Sequence, residues 1–260
     1  MPAAHAALLE LFIDHAKLPR AEFQAKREGT DICGDEVSLA QAQLVDGIMY
    51  IPIGGPMGRG LGKFEKGAGA IDMQDVMDEI YAFEHDPNAR GAILDIDSPG
   101  GTFSGTPELA AAVMRARDAG KPVMAFTNGM MCSAAYWVGC AATAVWATPS
   151  ADVGSIGVYS YLVDRSKQFE AAGLRPEVIS SGQFKGMMAP GVPLTKEHRA
   201  HLQERIFEMA EMFYEHVESM RGSSVNRADM QGQVFKARGA AERGLIDGVV
   251  SDISEVAAML

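Results

Sequence analysis

The stretch that decides the fold reads Met130-Met131-Cys132-Ser133-Ala134-Ala135-Tyr136-Trp137. An apolar strand is expected before it, over Pro122 to Phe126, and a helix of small residues is expected over Ser133 to Ala142. In a parallel α/β fold, functional side chains collect where strands end and helices begin. The junction at Ser133 therefore predicts both the class of fold and the position of a site.

Strands and helices alternate on both sides of this junction. The other expected strands are Val45 to Ile53, Ala92 to Ile96, Ala144 to Ala147 and Glu177 to Ile179. The other expected helices are Met73 to Glu84, Thr106 to Asp118, Asp164 to Ala172 and Thr195 to Met220, before a last helix–strand unit over Ala237 to Val250. Repeated strand–helix–strand units predict an α/β fold with a mostly parallel sheet. The glycine-rich stretch Gly54 to Ala70 has no apolar period and is expected to be a loop.

The first 40 residues are expected to form an N-terminal helical arm. Apolar residues recur at helical spacing between Leu8 and Ile13, which predicts a helix over Ala3 to Ala16. A polar stretch follows to about Ala40, and residues 41–260 are expected to form a single domain.

The composition indicates an ordinary soluble globular protein. Of the 260 residues 47% are hydrophobic and 22% charged, and the net charge of −11 argues against a nucleic-acid surface. The three cysteines, Cys33, Cys132 and Cys140, lack the spacing of a disulfide framework or a zinc site, so no metal or cofactor is expected. The sequence shows neither a secretory signal nor an apolar run long enough to span a membrane, which predicts a cytoplasmic protein.

A second segment supplies backbone donors for chemistry at Ser133. Asp97-Ser98-Pro99-Gly100-Gly101 directly follows a strand, and adjacent strands would place its glycine turn beside Ser133. Glycines allow a close approach of the backbone, and free N–H groups in such a turn and at Ala134 would stabilise a developing oxyanion. A serine with such donors predicts hydrolysis of an amide or ester bond.

A serine nucleophile needs a neighbouring base, and a lysine fits this role better here than a histidine. None of the six histidines lies near Ser133 in the sequence, although folding could bring one close. Lys185 stands in Ser181-Gly182-Gln183-Phe184-Lys185-Gly186, before the apolar Met187-Met188-Ala189-Pro190. Apolar neighbours can lower the pKa of a lysine far enough for it to act as a base. Cys132, next to the serine, is an alternative thiol nucleophile.

Together these segments resemble the signal peptide peptidase A family of serine proteases, which has the Clp/crotonase-like fold, a spiral of ββα units. The likeness extends from about Val45 to Val250. Beyond the segments already quoted, it rests on Val153-Gly154-Ser155-Ile156-Gly157-Val158 and Gly232-Gln233-Val234-Phe235-Lys236-Ala237, which stand in the family order. In two places the chain departs from the family: Ala134-Ala135 stands where many members have Gly-Gly, and Cys132 replaces a smaller residue.

The resemblance implies a serine endopeptidase with a Ser133–Lys185 dyad. The N–H groups of Gly101 and Ala134 would form the oxyanion hole, and Ser155 would orient the lysine. Members of the family form ring-like homo-oligomers in which a neighbouring subunit can complete the site. Whether Ser133 and Lys185 meet within one chain therefore stays open.

The resemblance also implies a peptide or protein substrate. The chain resembles the short members without a membrane anchor, which are similar to the capsid-assembly proteases of phages and prophages. Its partners would then be capsid or portal proteins inside the assembling particle. Degradation of membrane peptides is the alternative role within the family. Three other readings stay open: a Clp-like protease with a histidine triad, a crotonase-type acyl-CoA enzyme, and a capsid scaffold without catalysis.

Overall fold

The computed structural model describes residues 41–260, so the expected N-terminal arm over residues 1–40 lies outside the described residues. The strands are β1 (Gln43–Val45), β2 (Ile48–Gly54), β3 (Met57–Gly58), β4 (Ile71–Asp72), β5 (Gly91–Asp97), β6 (Val123–Thr127), β7 (Met130–Cys132), β8 (Ala144–Ala147), β9 (Asp152–Gly154), β10 (Val234–Lys236) and β11 (Gly248–Val249). The helices are α1 (Lys63–Gly67), α2 (Met73–His85), α3 (Thr106–Asp118), α4 (Ala134–Gly139), α5 (Ser166–Ala171), α6 (Lys196–Arg221), α7 (Ala237–Glu242) and α8 (Ile253–Ala257).

The main sheet contains six strands in the order β1-β2-β5-β6-β8-β11. All neighbouring strands in it are parallel except β1 and β2, which form an antiparallel hairpin. Strands in the middle of a parallel sheet are covered on both faces and read as nearly continuous apolar runs. In β5, Ile93 and Leu94 point to opposite faces, and both are fully buried. The predicted α/β fold with a mostly parallel sheet is confirmed.

A second, smaller row of strands runs beside the main sheet. The chain passes from β6 into β7 and from β8 into β9, and β7 and β9 pair in parallel. After β5 the chain joins the same row through two parallel bridges, from Ser98 to Met131 and from Gly101 to Met57. Helices α2, α3 and α4 follow the successive strand pairs. This repeated ββα arrangement agrees with the Clp/crotonase-like fold that the sequence predicts.

The main hydrophobic core lies between the helices and one face of the main sheet. Fully buried side chains come from the sheet, from α2 and from α3, among them Leu94, Ile80 and Leu109. Every residue of α4 is buried, so the helix that follows Ser133 is fixed inside this core. A smaller cluster on the opposite face of the sheet includes Phe126 and Val256 of α8.

Three sequence predictions about local structure are wrong. The expected strand Val45 to Ile53 is interrupted by a turn at Asp46-Gly47, where both residues have positive φ angles of 49° and 78°, as a tight hairpin turn requires. The stretch Gly54 to Ala70, expected to be a loop, contains β3 and α1. The expected strand Glu177 to Ile179 has no strand partner in the described part of the chain, and Ile179 is 99% exposed.

The described residues form two compact units. The first comprises residues 41–157 with 213–260, and it contains both rows of strands. The second comprises residues 158–212, with α5 and the beginning of α6. The domain boundary expected near residue 40 stays a prediction. Across residues 41–260, none of the helices has the length and apolar character needed to cross a membrane.

A buried hydrogen bond of α4 provides a test of this packing. The hydroxyl of the fully buried Tyr136 donates to the carbonyl oxygen of Leu245 at 2.7 Å. Tyr136→Phe would leave that carbonyl without this donor, so we expect the free energy of unfolding to fall by about 1–3 kcal/mol in urea denaturation. The control Tyr81→Phe changes a residue that is 58% exposed and should shift the free energy of unfolding by less than about 0.5 kcal/mol. Equal effects of the two substitutions would contradict the assigned role of this bond.

Candidate active site

Ser133 lies in a strained turn between β7 and α4. Its φ of 53° and ψ of −124° fall in a region that residues other than glycine rarely adopt and that costs about 1–3 kcal/mol. Two backbone bonds hold the turn: the Ser133 N–H donates to the Gly154 carbonyl at 2.8 Å, and the Trp137 N–H donates to the Ser133 carbonyl at 3.0 Å. A serine at this position normally caps the helix, but the Ser133 hydroxyl makes no capping bond. The hydroxyl, half-buried with its residue, is therefore left for other chemistry.

The glycine turn after β5 packs directly against Ser133. Gly100 has a φ of 104°, and a Cβ built on it would lie 2.7 Å from the Ser133 Cβ and 3.0 Å from the Ala134 nitrogen. Reciprocal bonds align the two segments, from the Ser98 N–H to the Met130 carbonyl at 2.7 Å and from the Cys132 N–H to the Ser98 carbonyl at 3.2 Å. The structure thus brings together the two turns that the sequence singles out.

Gly101 is enclosed from the other side by Met57 of β3. The Met57 N–H donates to the Gly100 carbonyl at 2.9 Å, and the Thr102 N–H donates to the Met57 carbonyl at 3.0 Å. A Cβ on Gly101 would overlap the Met57 carbonyl oxygen, so only glycine fits this position. This role of Met57 could not be predicted from the sequence, because it is performed by the backbone and the side chain carries no signal for it.

Two amide groups near Ser133 remain unused. Neither the Gly101 N–H nor the Ala134 N–H donates a backbone hydrogen bond to any acceptor among residues 41–260. Ala134 begins α4, and the first amides of a helix have no partner within the helix. Two free donors next to a half-buried hydroxyl suit the binding of an oxyanion.

Ser155 leaves the small row of strands beside Ser133. Cys132 of β7 pairs in register with Gly154 of β9, so the two serines follow paired residues at the same end of parallel strands. Ser155 also has a φ of 53°, and its N–H donates to the Gln233 carbonyl at 2.6 Å. Two strained serines side by side mark this edge as the candidate site, because strain of this kind concentrates at functional positions.

Lys185 belongs to the other compact unit, residues 158–212. It is exposed in a turn, where its N–H donates to the Gly182 carbonyl at 3.0 Å. The apolar shell expected around the lysine is not formed by its neighbours, since Phe184 is 39% and Met188 57% exposed. The pairing of Lys185 with Ser133 stays a prediction.

The other nucleophile and base candidates in the unit of Ser133 are engaged elsewhere. Cys132 is buried with its thiol directed at the Asp152 carbonyl, and burial, with a smaller contribution from the Asp152 charge, raises its pKa to about 12. His216 on α6 places its Nε2 3.0 Å from the Trp137 carbonyl, and burial lowers its pKa. His85 is exposed, with Nδ1 2.8 Å from the Tyr81 carbonyl.

Among known proteins, the chain is similar to phage and cellular proteases. It is 29% identical over 232 residues to "Capsid assembly protease C" of Escherichia phage lambda, covering 88% of this chain and 53% of that protein. It is 30% identical over 218 residues to "Head-tail preconnector protein GP5" of Enterobacteria phage P21, covering 84% and 43% respectively. The chain thus spans about half the length of these curated relatives, and a putative signal peptide peptidase SppA of Enterococcus faecium is a further one. Among solved structures, an enoyl-CoA hydratase/isomerase family member matches with a TM-score of 0.49 and 15% identity, over 84% of this chain and 72% of that one.

A family model identifies the chain more directly. The model for peptidase family S49 matches residues 115–259, more than half of the chain. The matched range contains Ser133, Ser155 and Lys185, and the preceding glycine turn packs against it through Gly100. The expected resemblance to signal peptide peptidase A proteases is confirmed, and the chain belongs to peptidase family S49.

Proposed function

We propose that the protein is a serine endopeptidase with Ser133 as nucleophile and Lys185 as general base. The observation that carries this proposal is the strained Ser133 turn, whose hydroxyl is released from helix capping and lies against a glycine turn with a free N–H group. A merely structural serine would cap the helix and would not need a strained backbone. Membership of a peptidase family supports the same reaction class.

The proposed reaction has two balanced halves. Ser133 Oγ attacks the scissile carbonyl carbon while its proton passes to the unprotonated amine of Lys185. The Gly101 and Ala134 N–H groups stabilise the tetrahedral oxyanion, each contributing about 3–4 kcal/mol. The C–N bond then breaks, and the leaving amine takes the proton from Lys185. Water attacks the resulting ester by the same path, which releases the acid and restores Ser133.

Ser155 is proposed to orient the lysine. Its position beside Ser133, at the end of the strand that pairs with β7, would place a second hydroxyl next to the incoming amine. A hydroxyl that accepts a hydrogen bond from the ammonium form would fix the direction of Nζ. It contributes no proton to the overall reaction.

We propose that self-association completes the site. A lysine acts as a base near neutral pH only when it is withdrawn from water, and Lys185 is exposed in the single chain. Among residues 41–260, sixteen large hydrophobic side chains are exposed, and eleven of them belong to residues 158–212. These are Tyr159, Tyr161, Leu162, Val163, Leu174, Val178, Ile179, Phe184, Met188, Phe207 and Met212. Contact of this surface with another copy in a ring-like homo-oligomer would bury both these side chains and the lysine.

A capsid or portal protein is the proposed substrate and partner. The name of the phage lambda relative refers to capsid assembly, and that of the phage P21 relative to a head–tail preconnector. The place of action would then be the assembling particle. Degradation of membrane peptides remains the second role, since the chain also matches a putative signal peptide peptidase SppA.

The dyad is tested with Ser133→Ala and Lys185→Ala, measured on an unfolded protein and on fluorogenic peptides between pH 6 and 10. Both substitutions should reduce kcat by at least about 10³-fold, since each removes an essential group. The wild-type rate should rise with pH as the lysine loses its proton. Ser251→Ala and Lys167→Ala change exposed residues and serve as matched controls. Retained activity of Lys185→Ala would reject the lysine as the base.

A mixing experiment asks whether the dyad crosses between subunits. Inactive Ser133→Ala and Lys185→Ala proteins are unfolded together, refolded as mixed oligomers and assayed. If the dyad joins two chains, some mixed sites contain both native residues, and about a quarter of the wild-type activity should return in a random mixture. Each variant refolded alone is the control. No recovery in oligomers shown by native mass spectrometry to be mixed would place the dyad within one chain.

The thiol alternative is tested by the reactivity of the cysteines. Burial, the main cause in both residues, raises the pKa of Cys132 and Cys140 to about 12, so at pH 8 only about one thiol in ten thousand is ionised. In a Cys33→Ser background, the folded protein should therefore react with Ellman's reagent only slowly. The same protein in guanidinium should expose two thiols at once. A fast-reacting thiol in the folded protein, together with loss of activity on its modification, would favour Cys132 as the nucleophile.

A further inference from the structure

Asp72 is a buried carboxylate to which the proposed mechanism gives no role. Asp72 ends β4 and caps α2, and the residue is only 4% exposed. One oxygen accepts the Gln74 N–H at 3.0 Å and the Gly60 N–H at 3.2 Å, and the other accepts the Leu61 N–H at 2.7 Å. A helix cap requires only the first of these bonds. The other two hold the loop that follows β3.

The carboxylate is charged where it lies. Burial raises the pKa of Asp72, but the hydrogen bonds from Gln74, Leu61 and Gly60, together with the charge of Lys66, outweigh this effect and leave the pKa below its ordinary value. The Lys66 Nζ lies 4.0 Å from Asp72 and 2.5 Å from Asp75. Hydrogen bonds to a charged acceptor are about twice as strong as neutral ones, so the loop is held firmly.

A short chain of backbone contacts leads from Asp72 to Gly101. Gly58 of β3 pairs in register with Asp72, and Met57 pairs with Ile71. The next contact is from Met57 to the glycine turn, where the Met57 backbone bonds on both sides of Gly101. The two-residue strand β3 therefore pairs with Asp72 of β4 on one side, and on its other side it packs against Gly101.

We propose that Asp72 is a positioning residue, which holds β3 so that the Gly101 N–H is directed at the oxyanion. This inference rests on the proposed serine chemistry. A two-residue strand with glycine-rich flanks has little stability of its own, because glycine loses more conformational freedom on folding than any other residue. Without the Asp72 hydrogen bonds to the loop that follows β3, the Met57 backbone would no longer hold Gly101 in place. An oxyanion donor that is misplaced by about 1 Å can cost on the order of a hundredfold in rate.

The test separates the cap from the loop anchor. In Asp72→Ser the hydroxyl can still cap α2, since serine is as good a cap as aspartate, but it cannot supply a second oxygen to Leu61. Asp75→Ser is the matched control: it makes the same substitution three residues further along α2, at a carboxylate with 47% side-chain exposure that pairs with Lys66. Asp72→Asn, which keeps the size of the side chain and one acceptor oxygen, is measured alongside.

The readouts are the labelling of the chain of residues 1–260 by a fluorophosphonate and the steady-state cleavage of a peptide. We expect Asp72→Ser to be labelled to the wild-type extent but about 10- to 100-fold more slowly, with kcat reduced and KM little changed. The labelling rate and kcat of Asp72→Asn should fall between those of the wild type and Asp72→Ser. Those of Asp75→Ser should match the wild type within about twofold.

The extent and the rate of labelling distinguish the outcomes. If the Asp72 variants lose labelled fraction while the fraction that remains reacts at the wild-type rate, Asp72 has a purely structural role and the proposal is overturned. Labelling of both Asp72→Ser and Asp72→Asn at the wild-type rate would also overturn the proposal. A wild-type chain that is not labelled at all contradicts the serine mechanism itself, and the positioning role falls with it.

Discussion

The candidate site depends on one close approach between two backbones, that of Gly100 and Ser133. The gap between them has no room for a further carbon atom, because a Cβ on Gly100 would lie 2.7 Å from the Ser133 Cβ. The ladder of bonds from Ser98 to Met130 and Cys132 sets this approach. The nucleophile and the glycine turn are therefore positioned by main-chain hydrogen bonds of two adjacent ββα units, and their relative position does not rely on flexible side chains.

The strain at Ser133 persists because the segments on both sides of it are fixed. The pairing of β7 with β9 holds it on one side, and the fully buried α4 holds it on the other. Trp137 of α4 stacks on Phe213, with ring centroids 4.5 Å apart, and meets Phe103 edge-on at 5.7 Å. A turn that costs about 1–3 kcal/mol is small beside the burial of such a helix, so the core can keep the serine in an unfavourable conformation.

The long, periodic elements could be predicted from the sequence, whereas the short ones that shape the site could not. The helix Thr106–Asp118 and the strand Ala144–Ala147 agree with their predicted bounds. Strands β7, β9 and β10 have three residues each, which is too few to show a period of two, so they are absent from the predicted elements. Asp46-Gly47 is a dipeptide typical of hairpin turns, and it accounts for the break in the expected strand Val45 to Ile53. The anchoring role of Asp72 depends on amides distant from its own helix, which no local pattern reveals.

The proposed catalytic groups fall into two sets. One set is already positioned within the single chain, and the other would be completed by self-association. Ser133, Gly101, Ala134 and Ser155 all lie in the unit of residues 41–157 and 213–260, where backbone pairing fixes their geometry. Lys185 lies in the unit of residues 158–212, whose large hydrophobic side chains are mostly exposed. Backbone donors need no change of charge to function, but a lysine base must first be desolvated. The group whose function depends most on burial is thus the one that the single chain leaves in water, which is why the proposed mechanism couples catalysis to self-association.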